Sequence, residues 1–336
     1  MQNKRSFSML VGSLISIASV TGATSYALEL NTHETVLNNG LKVIVKEDHR
    51  SPVIISQIWY RVGSSYEANG YTGLSHMLEH MMFKATKNLK DGEFTDIIAQ
   101  KGGQQNAFTS NDYTGYYQML GNQHLETSFQ LESERMQNLL LDPAVFSKEQ
   151  QVVAEERRMR TEDDPISNTH ERLMAAAYIS SPYHHPVIGW PDDIQNYDVK
   201  DLRSWYESWY APNNAIIVVV GDVKPEEVFA SAWKYFGNIK SKQLPVIKSR
   251  KEMKPLGERS LTIKLPAKLP VLFMAYNVPS YKTIANKKES YTLEVISSIL
   301  TSGNSSRITK QLERQQELVI SASSSYDSFN LYDGLF

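Results

Sequence analysis

The chain contains no cysteine. Disulfides, thiolate metal sites and cysteine nucleophiles are excluded together, so a metal in this protein has only histidine and carboxylate to hold it. The lack of cysteine also suits an oxidising compartment. Net charge is almost absent as well, at −2 over 336 residues, which gives no reason to expect a nucleic-acid partner. Beyond Val20 no run is long and apolar enough to span a bilayer. The first residues differ. Lys4 and Arg5 precede a mostly apolar run over residues 9–20, and Ser25-Tyr26-Ala27 fits a small-x-small cleavage site. That is the pattern of a secretory signal removed after Ala27. The run is short for a membrane anchor, which needs ~20 apolar residues, and with no cysteine after it a bacterial lipoprotein is excluded. A periplasmic mature chain is expected.

One stretch carries metal-binding spacing. In His76-Met77-Leu78-Glu79-His80 the two histidines lie four positions apart. On a helix both then project from one face and reach one ion. Glu79 falls on the flank of that face, within reach of a water at the same ion. The order is H-x-x-E-H, the reverse of the H-E-x-x-H zinc signature. Leu74, Met77, Leu78 and Met81 supply an apolar surface, Thr72 is the expected N-cap, and Gly73 in the first turn is expected to cost little. Two imidazoles and a carboxylate on a mostly apolar helix are expensive to bury without partners. A helical histidine pair taken alone also fits an ordinary surface or core pair, so a third ligand has to be found.

The flanking sequence alternates strands and helices. Residues 34–46 read as a hairpin turning at Asn38-Asn39-Gly40, and residues 53–62 as a strand broken by Gly63-Ser64-Ser65. Residues 94–100 form a short helix, residues 106–120 are strand-like, and residues 125–141 are helical until Asp142-Pro143 stops them. Ser147 then caps a helix over residues 148–161. On it Glu149 and Glu156, seven apart, share a face with Val152 and Val153. A face with two valines is expected to point inward, and carboxylates there need partners such as a metal and a supporting donor. Taken alone, the two glutamates also fit an ordinary charged helix. Glu155 falls off this face among Arg157, Arg158 and Arg160 and reads as solvated. His184 and His185, bracketed by Pro182 and Pro186, converge poorly on one ion and read as structural or exposed.

Further on, residues 199–210 read as a helix whose Trp205, Trp209 and Tyr210 belong to a core. Residues 215–220 are an apolar strand, and Pro225 opens another helix. Residues 241–259 turn polar and basic with Pro245, Pro255 and Gly257, the composition of an interdomain linker. Strands from Leu261 and over residues 270–277, helices over residues 288–300 and on to Gln316, and a strand over residues 318–326 are expected beyond it. The expected division is a signal peptide (1–27), a first domain (28–240), a linker (241–259) and a second domain (260–336). With 41% hydrophobic residues the chain can fill two cores.

The motif residues together resemble the inverted-zincin family of pitrilysin, insulin-degrading enzyme and mitochondrial processing peptidase, in its shorter bacterial form. The resemblance is carried by Gly63-Ser64, Glu67, His76 to His80, Asn106-Ala107-Phe108-Thr109, Asp112, Thr114, Glu149 with Glu156, Pro212-Asn213-Asn214 and Gly221-Asp222. It covers essentially everything after the signal peptide. It implies an α+β fold of duplicated α/β sandwich domains of the mitochondrial-processing-peptidase type, an antiparallel-rich sheet packed by helices in each, with the second domain incomplete here. It implies one Zn2+ per chain, bound by His76, His80 and Glu156, with the fourth position open to water as a catalytic site needs. Glu79 would be the catalytic proton acceptor, Glu149 a supporting residue behind the ligands, and Asn106, Ala107 and Phe108 part of an edge strand that pairs with an extended peptide. The implied activity is zinc-dependent endopeptidase cleavage of peptides or unfolded segments, in a clamshell of two halves or subunits. Self-sufficient relatives carry an Arg and a Tyr, seven apart, in the second half; here Glu313 and Ile320 stand in those places. A family-related partner subunit that supplies the pair is therefore expected, or a homodimer. The alternative is a non-catalytic or partner-dependent structural subunit of a heterodimeric peptidase.

Overall fold

The computed structural model describes residues 31–336. The expected signal peptide lies outside the described residues. No helix among them is long and apolar enough to cross a membrane.

A six-stranded sheet organises the first two thirds of the chain. Strands β1 (Thr32–Val36) and β2 (Lys42–Glu47) form the expected hairpin, turning at Gly40 with φ +87°. Strands β3 (Val53–Tyr60), β4 (Gln104–Thr109), β5 (Thr114–Gly121) and β6 (Ala215–Gly221) complete the order β1-β2-β6-β3-β5-β4. Only β2 and β6 run parallel. The nearly unbroken apolar run of β6 suits its central place, flanked on both sides. β4 has one neighbour only and forms an edge.

Helices cover one face of this sheet. The even-numbered residues Ile54, Ser56, Ile58 and Tyr60 of β3 are buried, whereas Ile55, Gln57 and Trp59 on the other face are half-buried. Such alternation is what a strand covered on one side produces. The helices of this part are α1 (Leu74–Met81), α2 (Glu93–Gln100), α3 (Leu125–Asn138), α4 (Pro143–Arg157), α5 (Pro165–Ala177), α6 (Pro191–Asn196), α7 (Val199–Trp209) and α8 (Pro225–Phe236); α1 and α2 pack on β4, α3 on β3 and β5, and α8 on β2.

One expected boundary moves. Asp142-Pro143 begins α4 and does not end α3: Ala144 and Val145 N–H donate to Asp142 Oδ1 at 2.8 and 3.1 Å, and Pro143 takes the first helical position, where its missing N–H costs nothing. Ser147 is therefore interior to α4, and the α-helix ends at Arg157, before one wide turn over Arg158–Glu162.

The buried interior holds an ion pair. Arg135 is fully buried; its Nε donates to Glu132 Oε2 at 2.7 Å, and Gln118 Nε2 donates to Glu132 Oε1 at 2.6 Å. The guanidinium lies 4.3 Å from the ring centre of Tyr116 and 4.6 Å from that of Phe94. Tyr116 in turn shares a 2.7 Å hydrogen bond with Tyr210. This core binds α3 and α2 to β5 on the far side of the sheet from solvent.

The later chain departs from expectation. The helix over residues 288–300 is present as α9 (Lys287–Thr301), and the chain wraps into a wide turn over Thr309–Gln315. The strands expected at Leu261 and over residues 318–326 are not formed, and of residues 270–277 only Asn277–Val278, β7, pairs, with β8 (Gly334–Leu335). A strand pattern becomes a strand only when a neighbour takes its backbone hydrogen bonds. Among the described residues these segments find no further strand partner beyond the Tyr276–Phe336 backbone bonds at 2.9 and 3.0 Å; Ala322 and Ser324 N–H donate to the Glu313 and Thr301 side chains instead, and Leu272 and Ile320 are 80% and 79% exposed.

Replacing Glu132 with Leu leaves the Arg135 charge buried and unpaired. The expected loss of unfolding free energy is about 3–5 kcal/mol, measured by urea denaturation. A loss within the range of ordinary surface substitutions would show that the pair is not desolvated.

Candidate metal centre

Helix α1 is placed by its first turn. Gly73, not Thr72, is the N-cap, in the left-handed region at φ +93°. A side chain at Gly73 would bring its Cβ to 2.5 Å from the Ile188 carbonyl oxygen, and one at Gly189 (φ +94°) would collide with the Thr72 carbonyl. The two glycines pack back to back, which lets the loop before α6 lie directly on the start of α1. Thr72 is used otherwise: its hydroxyl donates to Asp193 Oδ2 at 2.5 Å and accepts from Trp190 N–H at 2.8 Å. The first-turn N–H groups are satisfied by Glu67, whose carboxylate accepts from Gly73 N–H at 2.7 Å and from Ser75 N–H at 2.6 Å. A buried acid from the preceding loop thus takes the place of a capping side chain. Its burial pushes its carboxyl up to about 8, against the pull of the two N–H groups.

So seated, α1 projects both histidines toward α4. The His76 and His80 ring centres are 4.8 Å apart. Glu156 Oε2 lies 3.2 Å from His80 Nε2 and 3.7 Å from His76 Nε2. One ligand atom from each of the three residues falls within 4.8 Å of the others, the only such group among the described residues. Burial and the neighbouring His80 lower the His76 imidazole to about 4, so near neutral pH it is the uncharged form whose lone pair a metal takes. Burial pulls His80 down, but its hydrogen bonds to the Glu156 and Glu149 carboxylates outweigh it and raise it; the same contact with His80 lowers Glu156. With a lone-pair imidazole, a second imidazole and an ionised carboxylate converging, the donor set fits zinc.

Second contacts hold these groups. Glu149 Oε2 is 3.3 Å from His80 Nδ1, and its other oxygen meets Lys84 Nζ at 2.6 Å. Glu149 and Glu156 do share the inward face, with buried Val153; Val152, expected beside them, is half exposed. Thr109 Oγ1 at the end of β4 donates to Glu79 Oε2 at 2.5 Å. Burial raises the Glu79 carboxyl while that bond lowers it less.

The site opens into a cavity of about 690 Å³ lined by His76, Glu79, Glu156, Ala107, Phe108 and Arg160, among others. The β4 edge forms one of its walls. Asn106 is exposed and lies outside the lining, and its Oδ1 accepts from Ala107 N–H at 2.8 Å.

Residues 42–190 match the insulinase (peptidase family M16) domain, and residues 196–336 match the peptidase M16 inactive domain. The zinc protease PqqE of Helicobacter pylori is 38% identical over 314 residues, which are 92% of this chain and 69% of that protein. The chain belongs to the insulinase family of metalloproteases, peptidase family M16. The crystal structure of a protease from Helicobacter pylori superimposes with a TM-score of 0.84 at 36% identity, covering 91% of this chain and 73% of that one. The first half of the periplasmic protease PqqL from Escherichia coli shares the fold at 20% identity and TM-score 0.65, covering 81% of this chain and 59% of that one.

Within this M16 chain, His184 and His185 line the cavity but stand outside the metal group. His185 is buried with Nε2 2.7 Å from Asn69 Oδ1, and His184 Nδ1 is 2.6 Å from the Ser181 carbonyl oxygen. Glu313 accepts from Ala322 N–H at 2.8 Å and Ile320 faces solvent. Sequence reading missed the cap by Glu67, the Gly73–Gly189 contact and the Thr109–Glu79 bond. Only the left-handed demand of Gly73 left a signal.

Glu67→Ala strands two buried N–H groups at the start of α1 and is expected to cost about 2–4 kcal/mol, read from denaturant midpoints. A pH series adds a second check. The Glu67 carboxyl is raised in the fold, so the unfolded chain loses its proton first and the stability it lends falls as pH rises from its ordinary value toward about 8. Glu67→Gln does not titrate and should flatten that slope. An unchanged slope would mean that Glu67 is ionised in the fold throughout.

Proposed function

We propose that this chain is a zinc-dependent endopeptidase that hydrolyses peptides or unfolded polypeptide segments. The observation that carries the reading is the convergence of His76, His80 and Glu156, with Glu79 beside them, on a cavity walled by an open sheet edge. In this reading His76, His80 and Glu156 hold one zinc ion and Glu149 steadies His80 from behind. Zinc, when bound, supplies Lewis acidity to the peptide carbonyl and to water. The remaining work falls to the protein. An extended substrate lies along β4, whose outward backbone groups at Ala107 offer strand pairing. The Ala107 N–H is covered by the Asn106 side chain, which has to move aside before that N–H can pair. Glu79 takes a proton from the attacking water as its oxygen adds to the carbonyl carbon, and delivers a proton to the amine nitrogen as the C–N bond breaks. Burial raises Glu79, which brings it closer to the pH at which it gives the proton back. Thr109 fixes the carboxylate by one oxygen, leaving the other to receive the proton.

The reading extends to organisation: a secreted, periplasmic mature chain with a first domain to residue 240, a linker over 241–259 and a second domain beyond it. Glu313 and Ile320, standing where relatives carry Arg and Tyr, support a related partner subunit or a homodimer that completes the substrate clamp. The same observation favours the second reading, a structural subunit that keeps the fold without turnover.

Hydrolysis of a quenched, unstructured peptide by the zinc-loaded chain decides between them. Glu79→Gln should abolish cleavage and leave zinc content unchanged. Cleavage that survives in Glu79→Gln rules out the proton-transfer role. Thr109→Val, which keeps shape and removes the donor, should lower kcat by roughly tenfold, a fraction of the ~10²–10⁴-fold general-base contribution that an oriented carboxylate supplies, with zinc content and KM held. Thr109→Ser should restore it.

A further inference from the structure

Three arginines follow Glu156 closely, and the fold gives each a different task. Arg157 is buried, with Nη1 donating to Glu171 Oε2 and to the Gly189 carbonyl, both at 2.8 Å. Arg158 is half exposed and spans Glu155 and Asp163, both at 2.5 Å. Arg160 turns back toward the site: its Nη1 meets Glu156 Oε1 at 2.6 Å. The other Glu156 oxygen, Oε2, is the one facing His76 and His80. Each oxygen of this carboxylate therefore has its own assignment.

We propose that Arg160 is a positioning residue of the metal centre, one that holds Glu156 Oε1 and so presents a single oxygen, Oε2, beside the two imidazoles. The inference rests on the zinc reading given above. An untethered glutamate rotates freely and offers either oxygen or both; here the Arg160 guanidinium, in ion-pair contact with Oε1, holds the oxygen not used, as groups behind a metal ligand orient it. Folding stability is a small part of the pair's role, because the Arg160 side chain is 76% exposed beside a mostly buried Glu156, and an ion pair with so solvated a partner adds little. The backbone brings it there through the wide turn Arg158–Glu162, closed by Asp163 N–H donating to the Arg158 carbonyl at 2.8 Å. Insertions of this kind in helices recur at functional sites. Competing acids on the same turn are engaged elsewhere: Glu155 and Asp163 by Arg158, and Glu162 by Arg157 Nε at 3.3 Å. Arg160 and Glu156 both line the cavity, so the pair stands at the mouth of the site.

The test is zinc affinity, measured by chelator competition on the full chain, for wild type, Arg160→Ala, Arg160→Lys and Arg158→Ala. Arg160→Ala should weaken zinc binding by roughly tenfold or more, with the melting temperature of the metal-free protein unchanged. Arg160→Lys should recover part of the loss, since an ammonium reaches the oxygen without the planar fork. Arg158→Ala removes the same charge from the same turn without touching Glu156 and should bind zinc like wild type. Wild-type affinity in Arg160→Ala overturns the inference, and so does an equal loss in both alanine variants, which would assign the effect to net charge. A wild-type chain that takes up no zinc overturns the zinc reading, and the inference with it, before any variant is compared.

Discussion

The site depends on one buried carboxylate that belongs to no catalytic group. Glu67 takes the first N–H groups of α1, and the back-to-back glycines at 73 and 189 bring the loop before α6 onto the same end. A helix of eight residues has little intrinsic stability. Its position is therefore set by what meets its ends and its apolar face. Met77, Leu78 and Met81 are completely buried, and the cap fixes rotation and depth. With those determined, the direction in which His76 and His80 point is no longer free. The site is precise because its two histidines stand on a short rod clamped at its start.

Electrostatics separates two glutamates that sequence cannot rank by composition. Glu156 contacts His80 and is lowered; Glu79 is buried beside Thr109 and is raised. Pairs of acids whose surroundings push them apart in this way are suited to different tasks, one to stay charged and one to exchange protons. Glu149 joins through His80 and Lys84. The arrangement leaves few polar side chains around the two histidines without a contact; His76 Nδ1 is one buried atom that has none.

Much of this was legible before any coordinates. The alternation of β3 and the apolar run of β6 gave strands because their patterns are set by burial on one or both faces. H-x-x-E-H and the pair Glu149 and Glu156 gave the inward-facing histidines and carboxylates because helical spacing is local. What was not legible depends on contacts distant in sequence. The bond between Thr109 and Glu79 joins a strand end to a helix, and the cap by Glu67 replaces the local one that Thr72 appeared to offer. Asp142-Pro143 misled because such a dipeptide suits either the end of one helix or the start of the next; the bonds from Ala144 and Val145 N–H show that here it is the start. Arg160 lies four residues after Glu156, a spacing visible from the start, but three arginines so close together give no sign of which one meets Glu156. In the second half, alternation overstated order, since strands at residues 261 and 318–326 require neighbours that the pattern does not supply.

The edge strand β4 carries a consequence of its own. An open edge is a hazard in any sheet, since a second chain can add to it without regard to sequence. Here the Ala107 N–H is already covered by the residue beside it. A short, locally satisfied edge turns away casual contacts that cannot displace that side chain. A chain that does displace it must bring a free backbone, which a folded protein keeps engaged in its own helices and sheets. If a substrate pairs along this edge as proposed, recognition there would read the conformational freedom of a polypeptide before any side chain, and disorder would be the first mark of selection.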